Sequence, residues 1–154
     1  MTLQVGDVAP SFTLKSTELK DVSLSDFKDH KVVLLFFPMA FTGVCTDELC
    51  QMRDNYSIYE KLNAQIVAIS VNSPFTLKKF KEENNLNFPV LSDFNKSVSQ
   101  AYGAFYEEFV LGLKGVSKRS AFLIDENGKI QYQEILENAG NLPNFEALEQ
   151  VLSQ

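Results

Sequence analysis

The chain holds two cysteines, Cys45 and Cys50, which are its best candidates for covalent or redox chemistry. A cysteine thiolate is a strong nucleophile, and two neighbouring thiols can also be oxidised to a disulfide. The single histidine, His30, has charged neighbours, and nothing in the sequence brings it near a cysteine, which disfavours a hydrolase of the Cys-His type. Two cysteines and one histidine are also too few for a structural zinc site, so we expect no metal.

The spacing of apolar residues around the cysteines predicts an amphipathic helix. Residues that step by four, three, four and three positions lie on one stripe of a helix, and here they are Cys45, Leu49, Met52, Tyr56 and Tyr59. Cys50 shares its phase with polar residues such as Asp47 and Asp54, so the pattern predicts that Cys45 faces inward and Cys50 faces water. A buried cysteine is commonly a packing residue, so the phase alone leaves both packing and catalysis open for Cys45.

Cys45 lies at the start of this helix, shortly after the apolar run Val32–Phe37. The first turn of a helix stabilises an anion, and therefore a thiolate. Asp47 and Glu48 belong to the same turn and would oppose a thiolate if they pointed at it, so a cation is required. Arg119 begins a predicted strand and is our candidate for that cation; a solvated charge at a strand end is the alternative interpretation.

The first half of the chain predicts a β-hairpin followed by a strand–helix–strand unit. Phe12–Leu14 and Val22–Leu24 alternate apolar and polar residues around a polar turn. Val32–Phe37 and Ile66–Val71 are continuous apolar runs, which are typical of strands covered on both faces. With the cysteine-bearing helix between them, these two runs predict a βαβ unit.

The second half of the chain predicts further helices and strands around the same sheet. Ser73-Pro74 is a helix start, and the helical pattern continues to Asn84-Asn85. Gly103–Lys118 mixes apolar and acidic residues without a period, and core packing, a dimer contact and a substrate-side wall are all compatible with it. The other predicted elements are a short strand at Phe88–Leu91, a helical stretch near Lys96–Tyr102, a hairpin of Ala121–Ile124 and Ile130–Ile135 around an Asn-Gly turn, and a C-terminal helix containing Phe145, Leu148 and Leu152.

Size and charge narrow the class of protein. With 154 residues, 45% of them hydrophobic, residues 1–154 predict one domain with its own core. The net charge of −6, without a basic cluster, argues against nucleic acid as a partner. The longest apolar run, Val32–Phe41, is interrupted by Pro38 and is too short to span a bilayer, and Met1–Asp7 lacks the features of a secretory signal. We therefore expect a soluble, cytoplasmic protein with no membrane partner.

Five motifs, in order along the chain, resemble those of one enzyme family. They are Gly6-Asp7-x-Ala9-Pro10-x-Phe12, Pro38-x-x-x-Thr42-x-x-Cys45, Val71-Asn72-Ser73, Phe88-Pro89-Val90-Leu91-Ser92-Asp93 and Arg119-x-x-Phe122-x-Ile124-Asp125. On these motifs, which span essentially the whole chain, the sequence resembles the peroxiredoxins, thiol peroxidases that use no bound cofactor. The resemblance implies an α/β thioredoxin-like fold, with a central mixed sheet flanked by helices and an N-terminal β-hairpin.

The resemblance also implies a role for each matching residue. Cys45 would be the peroxidatic nucleophile, and its product with peroxide would be a sulfenic acid. Thr42 and Arg119 would bind and polarise the peroxide, and Pro38 would shield the thiolate. Glu48 matches the family's active-site glutamate. These roles agree with the need for donors that stabilise charge on the leaving oxygen.

The role of Cys50 is less closely defined by the resemblance. Its spacing from Cys45 is similar to that of the PrxQ, or bacterioferritin-comigratory, subfamily, in which the second cysteine resolves the sulfenic acid as an intramolecular disulfide. Phe41-Thr42-Gly43 instead resembles one-cysteine, AhpE-like members. In an intact helix the two Cα atoms would lie about 8.6 Å apart, beyond the ~7 Å limit for a disulfide. The first helical turns would therefore have to unwind before the bond could form.

The partners follow from the same resemblance. A peroxide, either hydrogen peroxide or an organic hydroperoxide, would be the substrate, and a thioredoxin-like thiol protein the reductant. We expect a monomer or a weak homodimer. Two other functions remain open: a thiol–disulfide exchanger, although those proteins use Cys-x-x-Cys and here four residues intervene, and a non-enzymatic redox sensor.

Overall fold

A computed structural model describes residues 3–154, which form nine strands and five α-helices. The strands are β1 (Thr13–Ser16), β2 (Asp21–Ser23), β3 (Lys31–Phe36), β4 (Ala64–Ser70), β5 (Val90–Ser92), β6 (Phe105–Tyr106), β7 (Val116–Ser117), β8 (Ser120–Ile124) and β9 (Ile130–Ile135). The helices are α1 (Gly43–Asp54), α2 (Tyr56–Lys61), α3 (Pro74–Glu83), α4 (Ser97–Ala101) and α5 (Phe145–Leu152). Within residues 3–154, no helix combines the length and the apolar character needed to cross a membrane.

Seven strands form one mixed sheet in the order β2-β1-β5-β4-β3-β8-β9. β3 is parallel to β4 and antiparallel to β8, and β4 is parallel to β5. β1 and β2 are antiparallel, with Thr13 opposite Ser23, so the predicted N-terminal hairpin is confirmed. The predicted central strands are confirmed as well, because β3 and β4 lie in the middle of the sheet and are almost completely buried.

The sheet is covered on both faces, as the continuous apolar runs predict. Alternate residues of β3 point to opposite sides: Val33 and Leu35 belong to one hydrophobic cluster, and Leu34 and Phe36 to the other. The first cluster includes buried residues of α1, α2, α3 and α5, and the second includes Val98 of α4. Helix α1, which carries both cysteines, is therefore packed against the sheet.

Some element boundaries differ from the sequence prediction. The single helix predicted through Tyr59 is interrupted at Asn55, although Tyr59 remains on the buried stripe. The strand predicted at Phe88–Leu91 begins later, at Val90. Pro89 has no N–H with which to continue the ladder, but its carbonyl accepts a hydrogen bond from the backbone N–H of Ala68.

The segment between α4 and β8 forms a small second sheet, in which β6 pairs with β7. Tyr106 and Val116 are buried in it, so part of the segment packs onto the core. Phe109 stacks on Tyr106, with 5.4 Å between the ring centroids. Leu111, at the tip, is 93% exposed. The segment thus combines a packed base with an apolar, solvent-facing tip.

Candidate active site

Cys45 is placed by the connection between β3 and α1. The strand ends at Phe36, and Thr42 is the N-cap of α1, so Cys45 lies in the first helical turn and is only 1% exposed. The loop between them is held by a hydrogen bond from the Ala40 backbone N–H to Asn72 Oδ1 (2.9 Å). The sulfur atom therefore sits near the positive end of the α1 dipole, in a fixed backbone frame.

Arg119 reaches Cys45 from the position immediately before β8, the antiparallel neighbour of β3. Its Nη2 donates to Cys45 Sγ at 3.0 Å, its Nη1 to Glu48 Oε1 at 2.6 Å, and its Nε to the carbonyl oxygen of Ala139 at 2.9 Å. Arg119 is only 2% exposed, so the alternative of a solvated strand-end charge is wrong. A cation that donates to the sulfur atom favours its anionic, nucleophilic form.

Glu48 is completely buried and shares the Arg119 guanidinium with Cys45. Burial raises the pKa of Glu48 to about 7, and the attraction of Arg119 only partly opposes this effect. Among residues 3–154, Glu48 Oε2 has no hydrogen-bond partner, so it is the natural place for the proton. A protonated Glu48 leaves the positive charge of Arg119 available to the sulfur atom. Asp47, in the same turn, is exposed.

Thr42 and Pro38 both belong to the segment that leads to Cys45, but only Thr42 lines the cavity beside it. Thr42 is one of the residues lining the cavity beside Cys45, and its hydroxyl donates to the carbonyl oxygen of Met39 at 2.7 Å. Because its hydroxyl proton is used in this bond, Thr42 Oγ1 can act as an acceptor for a ligand. Pro38 is buried in the preceding loop, and its role as a shield of the thiolate stays a prediction.

A cavity of about 710 Å³ opens beside Cys45. One side comes from the active-site loop and α1, and the other from the segment between β6 and β7 together with the loop after β9. Several apolar residues line it: Met39, Val44, Phe109, Val110, Leu111 and Leu113. The arrangement can therefore hold an apolar group against a thiolate and a guanidinium.

Sequence reasoning missed the loop after β9, which contributes Asn138, Ala139 and Gly140 to the cavity. Ala139 orients Arg119 through its backbone carbonyl. Any residue type can supply such a contact, so the sequence carried no signal for it.

Cys50 lies in the same intact helix as Cys45, and both thiols are free. The expectation that Cys50 faces water is wrong in part, because the side chain is half-buried. Its Sγ donates to Asn84 Oδ1, at the end of α3, with 3.7 Å between the two atoms. Helical phase describes one helix in isolation and does not reveal that a second helix ends beside it.

Comparison with known proteins shows which family the chain belongs to. The sequence model of the AhpC/TSA family matches residues 5–133, well over half of the chain. The chain belongs to the AhpC/TSA family. Alkyl hydroperoxide reductase E of Mycobacterium tuberculosis is 40% identical over 136 residues, which cover 86% of each chain. Peroxiredoxin Bcp of Escherichia coli is 36% identical over 132 residues, which cover 84% of each.

Solved structures agree with this membership. The crystal structure of peroxidoxin BcpB from Mycobacterium tuberculosis is similar, with a TM-score of 0.87 and 28% identity over 98% of this chain and 97% of that one. The predicted thioredoxin-like fold and peroxiredoxin resemblance are thus confirmed. The AhpC/TSA protein described here is an oxidoreductase, a thiol-dependent peroxidase. Its relatives include both types that the motifs around Cys45 and Cys50 resemble.

Proposed function

We propose that Cys45 is the peroxidatic cysteine and that it reduces hydrogen peroxide and organic hydroperoxides. The observation that carries the proposal is the 3.0 Å hydrogen bond from Arg119 Nη2 to Cys45 Sγ. In this site Cys45, Glu48 and Arg119 are almost wholly shielded from solvent. Low exposure strengthens the interaction between the guanidinium and a sulfur anion.

The reaction is a displacement on one peroxide oxygen. The Cys45 thiolate attacks that oxygen, the O–O bond breaks, and the products are Cys45 sulfenic acid and an alkoxide or hydroxide that is protonated to an alcohol or water. Arg119 stabilises negative charge on the leaving oxygen, and Thr42 Oγ1 accepts a hydrogen bond from the peroxide. Glu48 keeps Arg119 in place through its own hydrogen bond at 2.6 Å.

The apolar cavity supports organic hydroperoxides as substrates beside hydrogen peroxide. An alkyl group bound between Val44 and Leu113 would bury its apolar surface, which favours binding. The hydroperoxide end of the same molecule would then lie near Cys45 and Arg119. A relative that bears the name alkyl hydroperoxide reductase E is consistent with this proposal.

Cys50 is the proposed resolving cysteine. Its thiolate attacks the sulfur of the Cys45 sulfenic acid, an S–S bond forms, and the S–O bond breaks with release of water after protonation. A thioredoxin-like dithiol then reduces the disulfide. Because α1 is intact around both cysteines, this step requires its first turns to open. Resolution by an external thiol, with Cys50 unused, is the alternative that the AhpE-like motif favours.

We further infer that residues 1–154 act as one domain, as a monomer or weak homodimer, in a reducing cytoplasm. Both hydrophobic clusters share strands of the same sheet, which supports one cooperative unit. The two free thiols are compatible with a reducing compartment.

The test is the intact mass of fully reduced protein after one equivalent of hydrogen peroxide, with Cys45→Ser and Cys50→Ser measured in parallel. Rapid loss of about 2 Da that requires both cysteines would support Cys45 as nucleophile and Cys50 as resolving residue. Addition of one oxygen to Cys45, unaffected by Cys50→Ser, would mean resolution by an external thiol. Equally fast oxidation of Cys45→Ser would contradict the assignment of the nucleophile.

A further inference from the structure

The contact between Cys50 and Asn84 joins the cysteine-bearing helix to another part of the fold. Asn84 directly follows α3 and caps it: its Nδ2 donates to the carbonyl oxygen of Phe80 at 3.0 Å. Its Oδ1 accepts the hydrogen bond from Cys50 Sγ at 3.7 Å. The Cys50 thiol is therefore held by a side chain that is itself anchored to α3.

A second contact reinforces this junction. Arg53, one turn beyond Cys50 in α1, donates from Nη1 to the backbone carbonyl of Asn84 at 2.5 Å and from Nε to Asp54 Oδ1 at 2.9 Å. The hydrogen bond with Asp54 raises the pKa of Arg53, and the nearby Cys50 contributes in the same direction. Because Arg53 binds the backbone of Asn84, substitution of the Asn84 side chain leaves this contact available.

The Cys50–Asn84 contact stabilises a state in which resolution cannot occur. The thiol is the donor in this contact, and the attacking thiolate has no proton to donate, so the contact exists only in the form that does not attack. It also favours the helical position of Cys50, where the separation from Cys45 is too large for a disulfide. The contact and the helical position both have to be given up before Cys50 can attack the sulfur of Cys45.

We propose that Asn84 is a positioning residue that sets the rate at which Cys50 resolves the Cys45 sulfenic acid. Its contact restrains Cys50 in the closed helix and thereby prolongs the lifetime of the sulfenic acid. This inference rests on the proposed resolving role of Cys50. It deepens that role, because it makes the second step of the cycle depend on α3, an element that contributes no residue to the cavity beside Cys45.

A longer-lived sulfenic acid has a chemical consequence. A second peroxide can oxidise it to sulfinic acid: the sulfur gains an oxygen, the peroxide O–O bond breaks, and water or an alcohol is released. Disulfide formation competes with this reaction and consumes no peroxide. Asn84 should therefore influence how readily Cys45 is overoxidised when peroxide is in excess.

The experiment separates the two steps with three variants. Asn84→Ala removes the oxygen that accepts from the Cys50 thiol. Asn84→Asp keeps an accepting oxygen and adds a negative charge, which opposes formation of a thiolate beside it and can pair with Arg53. Asn87→Ala is the matched control, because Asn87 Nδ2 donates to the Arg53 carbonyl at 3.4 Å, which joins the same two regions without a contact to the thiol. The chain has no tryptophan, so quenched-flow mass spectrometry replaces tryptophan fluorescence as the readout.

We expect the rate of Cys45 oxidation to be the same in all four proteins. Disulfide formation should be roughly threefold to tenfold faster in Asn84→Ala, as expected for loss of one hydrogen bond, and slower in Asn84→Asp. The yield of sulfinic acid in excess peroxide should change in the opposite sense. Asn87→Ala should match the wild type, and thermal denaturation identifies any variant that is altered only through stability.

Two results would overturn the inference in distinguishable ways. If the wild type forms a Cys45–Cys50 disulfide but both Asn84 variants form it at the wild-type rate, or both form it more slowly, Asn84 does not control the step. If the wild type forms no such disulfide, the resolving role of Cys50 fails and the role of Asn84 fails with it.

Discussion

At the scale of single residues, the site depends on one guanidinium shared by two acidic groups. Arg119 contacts Cys45 Sγ, Glu48 Oε1 and the Ala139 carbonyl through three different nitrogen atoms. A planar fork can make all three contacts at once, whereas a lysine ammonium has neither the shape nor the reach. The buried position of Glu48 favours its protonated form, which leaves the charge of Arg119 to the sulfur.

Replacement of Arg119 by lysine should slow the oxidation of Cys45 by peroxide about 100-fold, because a preorganised donor to the reacting atoms is lost. The measurement is the second-order rate constant with hydrogen peroxide. Lys129→Met is the control, since Lys129 is an exposed cation at the turn between β8 and β9 and is not among the residues lining the cavity. Arg119→Lys at the wild-type rate would refute a role of the guanidinium fork.

Glu48 should make the stability of the reduced protein depend on pH. Its pKa is raised from 4.5 in the unfolded chain to about 7 in the folded state, so the folded state binds more protons between these values. Its contribution is therefore complete below pH 4.5 and is lost as the pH rises through about 7. The loss amounts to at most about 3 kcal/mol.

The measurement for Glu48 is the free energy of unfolding in urea from pH 4.5 to pH 8, for wild type and Glu48→Gln. Glutamine resembles the protonated acid and does not titrate, so the difference between the two proteins isolates Glu48. The advantage of the wild type should decrease with rising pH. A constant difference across this range would show that Glu48 does not titrate there.

At the scale of elements, the geometry of the site depends on how the β3–α1 loop is tied to the end of β4. Asn72 Oδ1 accepts hydrogen bonds from the Ala40 backbone N–H at 2.9 Å and from Ser70 Oγ at 2.6 Å. The loop between Phe36 and Thr42 is thus held by the neighbouring parallel strand. The motif Val71-Asn72-Ser73 acquires a physical role here, because its asparagine aligns the backbone that leads to Cys45.

Asn72→Leu should slow Cys45 oxidation about tenfold and lower the free energy of unfolding by about 1 kcal/mol, since it leaves the Ala40 N–H without its acceptor. Asn72→Asp retains both accepting interactions and should stay near the wild-type rate. Peroxide kinetics and urea denaturation measure the two effects. Equal loss of rate in both variants would show that the accepting oxygen is not what matters.

At the scale of the whole molecule, the cavity is assembled from segments that are far apart in the sequence. The β3–α1 region supplies Cys45, the segment between β6 and β7 supplies Leu113, and the loop after β9 supplies Ala139. The order of strands brings these segments together, because β8 lies next to β3 and Arg119 immediately precedes β8. The cavity is therefore a product of the tertiary structure.

Leu113→Ser should slow the reaction with an aromatic or long-chain hydroperoxide about tenfold and leave hydrogen peroxide unaffected, since only the former gains from apolar burial. The measurement is the ratio of the two second-order rate constants. Leu19→Ser is the control, because Leu19 is also exposed but lies at the β1–β2 turn, away from this cavity. An unchanged ratio in Leu113→Ser would argue against an organic tail at this wall.

The sequence by itself determined the local features of this protein. Apolar periodicity placed Cys45 on the buried stripe of α1, continuous apolar runs predicted β3 and β4, and an Asn-Gly turn predicted the β8–β9 hairpin. The five motifs indicated the peroxiredoxin family, which the comparisons confirmed. These features are encoded by residue type and spacing within short segments.

Only the tertiary structure decided which distant groups meet. It showed that Arg119 is buried against Cys45 and that the Ala139 carbonyl orients it. It also showed that Cys50, which helical phase had placed in water, is half-buried and donates a hydrogen bond to Asn84. It also placed the helix break at Asn55. Such contacts join segments dozens of residues apart and often use backbone atoms common to all residues, so local pattern carries no record of them.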